Sequence, residues 1–100
     1  MRLTDFQIDS IKELARTFFG DDATVFLFGS RTDNLKKGGD IDLFIKNKHE
    51  ESLTIEAKTQ FLVKLKSRIG DRKIDVVLDN INTRKRQNFY QSIIINMIQL

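Results

Sequence analysis

Apolar residues recur along the chain with two periods, and the switch between them marks the elements. Ile8, Ile11, Ala15 and Phe18 fall on one face of a helix. Thr4 and Gln7 ahead of them have the spacing of a capping box, and Gly20 stands where a left-handed residue would end that helix. Thr24-Val25-Phe26-Leu27-Phe28 is β-prone and apolar throughout, the pattern of a buried strand. Gly29-Ser30 ends it, with Ser30 as the N-cap of a short helix through about Leu35. After the Lys36-Lys37-Gly38-Gly39 loop, Asp40-Ile41-Asp42-Leu43-Phe44-Ile45 alternates with period two, a second strand. A helix capped by Ser52 then carries Ala57, Phe61, Leu65 and Ile69 on its core face and stops at Gly70. Lys73-Ile74-Asp75-Val76-Val77-Leu78-Asp79 alternates as a third strand. Asn80 or Asn82 caps a last helix running towards Leu100.

The predicted order is α-β-α-β-α-β-α, an α/β (α+β) arrangement with a small mixed three-stranded sheet and covering helices. The short connection between the first two strands predicts an antiparallel pair. The helix between the second and third is long enough for a right-handed parallel crossover.

Composition narrows the function. At 100 residues the chain is read as one domain spanning residues 1–100, with room for a single core. Cysteine is absent, which excludes disulfides, thiolate metal sites and a Cys nucleophile. The single histidine, His49, excludes a multi-histidine zinc site and sits in a polar loop with Glu50 and Glu51. No apolar run approaches the roughly 18 residues of a membrane span. The opening Met-Arg-Leu-Thr-Asp lacks the apolar stretch of a signal peptide. The expectation is a cytoplasmic protein without a membrane partner. A net charge of +3 is too small to carry direct nucleic-acid binding, and no basic stripe interleaved with aromatics is present.

Three carboxylates change that picture. Alternation puts Asp40 and Asp42 on one face of the second strand, roughly 6.6 Å apart along it from the rise per residue. Asp75 falls on the matching face of the third strand. If the two strands are neighbours, about 4.8 Å apart, all three acids meet on one side of the sheet. Like charges this close repel, and a divalent cation removes the penalty; hard oxygen donors suit magnesium or manganese. Such a set fits a two-metal centre, whose ions clamp both ends of a phosphoryl displacement. Gly29 lets a ligand approach the backbone, Ser30 opens a helix N-terminus whose amides bind phosphate, and Arg31 adds a fork of donors. The implied reaction is attack on the α-phosphate of a nucleoside triphosphate, with pyrophosphate leaving.

Leu27-Phe28-Gly29-Ser30-Arg31 followed by Gly39-Asp40-Ile41-Asp42-Leu43-Phe44 resembles the Gly-Ser…Asp-x-Asp signature of the DNA polymerase β-type nucleotidyltransferase superfamily. Ile74-Asp75-Val76-Val77 resembles that family's third-carboxylate strand. The compact size is similar to that of the minimal nucleotidyltransferases, MntA-type antitoxins among them. The resemblance implies the nucleotidyltransferase fold and metal-dependent transfer of a nucleoside monophosphate, AMP from ATP, to an acceptor hydroxyl on a partner protein. By it, Asp40 and Asp42 bind two Mg2+ or Mn2+ ions, and Asp75 helps bind one and acts as, or positions, the base. Gly29 and Ser30 hold the β,γ-phosphates. MntA-type proteins work beside a small helical HEPN-domain ribonuclease toxin, which they adenylylate and also bind. The alternative so implied is a non-catalytic antitoxin-like subunit that masks a HEPN partner.

Two features lie outside that reading. Arg84, Lys85 and Arg86 cluster near the start of the last helix, where cations oppose the helix dipole. They fit either a contact with an anionic partner or nucleotide base, or a solvated basic turn. Tyr90, Ile93, Ile94, Met97 and Ile98 form a helical stripe that Ile95 widens. It is either core or partly the interface of a homo- or hetero-oligomer. With so much of the chain committed to the cradle and carboxylates, the acceptor surface is expected to come from another chain.

Overall fold

Thr4 opens the first helix as its spacing predicts. In the computed structural model, which describes residues 3–29 and 40–100, helix α1 spans Asp5–Phe19. The Thr4 hydroxyl accepts the Gln7 N–H at 3.1 Å, and the Gln7 side-chain carbonyl accepts the Thr4 N–H at 2.9 Å. These bonds satisfy amides that the first turn leaves without helical partners. Gly20 closes the helix at φ 103°, where a side chain would be strained. The buried stripe is Ile11, Leu14, Ala15 and Phe19. Phe18, expected inside, is only half-buried; Phe19 takes the core position and packs its ring 5.3 Å from that of Phe61.

The strands are β1 (Thr24–Phe28), β2 (Ile41–Lys46) and β3 (Ile74–Leu78), plus a fourth, β4 (Ile98–Gln99). Their order in the sheet is β3-β2-β1-β4. β1 and β2 pair antiparallel and β2 and β3 pair parallel, as the connection lengths predict. The expected three-stranded sheet is therefore corrected to four. Ile98 and Gln99 pair antiparallel with Leu27 and Phe26, and Leu100 N–H donates to the Val25 carbonyl at 3.0 Å. Free edge groups of β1 take up these last residues, which the apolar stripe alone assigns to a helix. The expected short helix after Ser30 and the Lys36-Lys37 loop lie outside the described residues.

Helix α2 (Ile55–Ile69) is capped by Thr54, whose hydroxyl accepts the Ala57 N–H at 3.0 Å. Ser52, expected to cap it, instead closes a single 3-10 turn at Glu50–Ser52. The last helix is broken in two: α3 (Ile81–Lys85), capped by the Asn80 side chain, and α4 (Gln87–Asn96). Arg86 between them leaves helical geometry at φ −84°, ψ 72°.

The two faces of the sheet differ. Leu27, Leu43, Ile45, Ile74, Val76 and Leu78 form one core with α1 and α2. On the other face, Phe44 is fully buried between Phe26 and Tyr90, with ring centroids 6.4 and 6.1 Å away. Ile93 of α4 is fully buried too. So α4 covers the second face at the Phe44 end, and the Asp42 end lies beyond that aromatic cover. Truncating Phe61, which is fully buried between α1 and the sheet, to Ala is expected to cost about 3–5 kcal/mol. A urea unfolding curve will read this as a lowered midpoint with an unchanged slope.

Candidate active site

Strand register decides which acids meet. Asp42 is the direct partner of Asp75 across the parallel β2–β3 pair and of Phe28 across the antiparallel β1–β2 pair. In-register partners point to the same face, so Asp42 and Asp75 both leave the α1/α2 core behind. Ile41, Leu43, Ile74 and Val76 on either side of them are buried in that core. Each strand is thus pinned by its apolar alternates, and a slip of one residue would invert every side chain. Asp40 lies one residue before β2. Its Oδ2 is 4.0 Å from Lys73 Nζ, and Lys73 lies one residue before β3, level with Asp40 in the same register.

The electrostatics are those of a crowded acid. Asp42 is pushed up from 3.8 to about 6. Burial is the largest cause, followed by the Asp75 charge, a hydrogen bond to Asp75 and the Asp40 charge; Lys73 opposes them. A divalent cation would relieve this surplus of negative charge, and carboxylate oxygens are the donors magnesium and manganese prefer. The residues therefore fit such an ion. They do not form a finished cage: among the described residues, no three acidic or histidine side chains close on one point as a metal-ligand cluster. The expected convergence of three acids is thus an in-register pair, Asp42 and Asp75, with Asp40 beside it at the start of β2.

Gly29 completes the described part of the rim. It adopts φ 74°, and a Cβ there would overlap the Asp42 carboxylate at Oδ2. Glycine is thus required both by conformation and by the acid it packs against. Ser30 and Arg31 lie outside the described residues. A cavity of about 390 Å3 opens beside the pair, walled by Phe28, Asp42, Asp75, Lys58 of α2 and Phe89 of α4. Sequence reasoning missed Lys58, Phe89 and Lys73. Alternation gave a signal only for Lys73, two residues before Asp75.

The basic cluster resolves into separate parts. Arg84 donates to the Asp79 carboxylate at 3.0 Å, the Asp79 carbonyl at 3.2 Å and Glu50 Oε1 at 2.7 Å. It ties the end of β3 to the 3-10 turn, and Glu50 below its ordinary range reflects the Arg84 hydrogen bond first. Arg86 lies over the Phe89 ring, 4.2 Å from its centroid. His49 stands 3.9 Å from Asp22 and 3.7 Å from Glu51, away from the Asp42 rim.

Residues 8–100 match the family model of the nucleotidyltransferase domain. No curated protein matches the chain.

The crowding of Asp42 has a consequence for stability. Asp42 has its pKa raised in the folded protein, so above pH 6 it is ionised in both states and folding carries the full penalty. As pH falls from 6 towards 3.8 the folded state takes up the proton first, and the penalty fades. Asp42→Asn should therefore stabilise the metal-free protein at neutral pH. The expected gain is about 1 kcal/mol once solvent screening at this half-buried site is discounted. Thermal melts in chelator will show the gain at pH 7.5 and its loss by about pH 4.

Proposed function

The chain belongs to the nucleotidyltransferase domain family, and from that membership we propose that it transfers AMP from ATP to a hydroxyl of a partner protein. The observation that carries the reading is the in-register Asp42–Asp75 pair with Gly29 packed on Asp42. It sets a positive-φ glycine and two acids side by side at one end of the sheet. Asp40 and Asp42 would hold the metal ions, with Asp75 as a further oxygen donor. A bound Mg2+ or Mn2+ neutralises phosphate charge and orients the triphosphate.

The chain's own residues take the remaining roles. Gly29 admits the triphosphate close to the backbone, and Ser30 and Arg31 donate to its β- and γ-phosphate oxygens. The acceptor hydroxyl oxygen attacks the α-phosphorus in line. The bond from that phosphorus to the bridging oxygen breaks, and pyrophosphate leaves with the electron pair. The hydroxyl proton passes to a carboxylate oxygen of Asp75. Lys73, 4.0 Å from Asp40, limits the negative charge on the rim before nucleotide arrives.

The proposed acceptor is a small helical HEPN-domain protein, as for the MntA-type antitoxins this chain resembles. A second reading, an antitoxin-like subunit that masks this partner without chemistry, draws on the exposed Ile95 and Ile98 at the end of α4 and in β4. That apolar end offers a surface for a hetero- or homo-oligomer.

Incubation with α-labelled ATP, Mg2+ and a HEPN partner is expected to label the partner. Asp40→Asn and Asp42→Asn should each lower the rate on the order of 100-fold or more, since each removes a charge the reaction uses. Full labelling by the double variant would overturn the catalytic reading. Neutralisation of the partner that survives in the unlabelling double variant would favour masking.

A further inference from the structure

The strand order leaves β3 at the edge of the sheet, next to the candidate active site. Ile41 N–H donates to the Lys73 carbonyl and Asp79 N–H donates to the Ile45 carbonyl, so β3 bonds to β2 through its odd-numbered residues. In a parallel ladder the intervening residues turn their N–H and C=O groups the other way. Ile74, Val76 and the Leu78 N–H therefore face the open side, where no strand among the described residues pairs with them. The Leu78 carbonyl is taken by Asn80 N–H at 2.9 Å.

This edge is the floor of a groove. The 390 Å3 cavity beside Asp42 and Asp75 is walled by both Val76 and Val77, whose side chains point to opposite faces of the sheet. Only the strand's edge brings both into one wall. A second cavity of about 210 Å3 shares Lys58, Val76, Val77 and Phe89 with it and continues past Leu78 to Thr83 and Arg86. Together they run along β3, with α2 on one bank and α3–α4 on the other. Proteins blunt open edges with proline, bulges, charged side chains or a covering element. β3 has no proline, and among the described residues no strand covers its edge, which Lys58 and Arg86 flank. Among the described residues neither cation is paired with a carboxylate, whereas Arg84 nearby is fully engaged by Asp79 and Glu50.

We propose that the free edge of β3 is the docking groove for an extended, acidic segment of the acceptor polypeptide. Alternating backbone donors and acceptors match a polypeptide, which adds as a further strand. Lys58 and Arg86 select acidic side chains where the groove passes Leu78, away from the Asp42 and Asp75 carboxylates that wall its other end. The groove begins at Asp75, so a hydroxyl side chain seated at that end lies beside the carboxylate assigned to its proton. The acceptor role rests on the nucleotidyl-transfer reading above; the binding itself does not.

The probe is a blocked heptapeptide, Glu-Val-Glu-Tyr-Val-Glu-Val, added to the whole chain without nucleotide. Amide hydrogen exchange at Val76 and Leu78 should slow at least about 10-fold. A peptide N-methylated at alternate residues should leave both amides unchanged. The surface variant Lys58→Glu/Arg86→Glu, checked for folding by circular dichroism, should bind at least about 10-fold more weakly at low salt. Unchanged exchange at millimolar peptide, or equal binding of the N-methylated peptide, overturns the proposal. So does concentration-dependent protection of Val76 and Leu78 without peptide, which assigns the edge to a second copy of the chain. Transfer from α-labelled ATP to glycerol is followed separately. Binding without any transfer counts against the activity, and transfer to glycerol without peptide binding counts against the groove.

Discussion

Asp42 and Asp75 face each other across a parallel strand pair because their neighbours on β2 and β3 are tied into the core beneath them. Ile41, Leu43, Ile74 and Val76 are all buried against α1 and α2. Each contributes on the order of 1.5–3 kcal/mol by leaving water, which together far exceeds the repulsion between the two acids. The fold can therefore hold like charges together, and the strain appears as the raised pKa of Asp42 rather than as a displaced strand. Gly29 belongs to the same constraint, since a side chain there would overlap the Asp42 carboxylate.

The second face of the sheet divides its labour along the strands. At one end Phe26, Phe44, Tyr90 and Ile93 make a small aromatic and aliphatic core under α4. At the other end the acids stand at a cavity mouth. Burial near the Phe44 end holds α4 in place, and α4 in turn supplies Phe89 as one wall of that cavity. The Arg84 contacts with Asp79 and Glu50 fix the turn from which α3 and α4 depart. Stability and the shape of the site thus share residues, while the chemistry falls to the few positions that point away from the main core.

Much of this was legible in residue order. Period-two alternation located β2 and β3 and put Asp42 and Asp75 on matching faces, because one face of each strand is apolar without interruption. The Thr4–Gln7 spacing located α1, since a capping box is a local interaction. Connection length gave the antiparallel and parallel pairings. Long-range competition was not legible. Ile98 continues a helical stripe, yet it pairs with Leu27 because β1 has a free edge, and only the assembled sheet creates that edge. Thr54 rather than Ser52 caps α2, a choice between two hydroxyl residues two positions apart. Lys58 and Phe89 reach the cavity from helices distant in sequence, so no local pattern marks them. Ser30 and Arg31 remain expectations, being outside the described residues.

Asp42 is held beside Asp75 in a state that a divalent cation would relieve. Carbon-13 NMR of the side-chain carboxyls, titrated with and without Mg2+, tests it most directly. Asp42 is expected to titrate near 6 in chelator, and saturating Mg2+ to move its midpoint down by at least about one pH unit. Titration of Asp42 near the ordinary 3.8 in chelator, with no response to Mg2+, would contradict it.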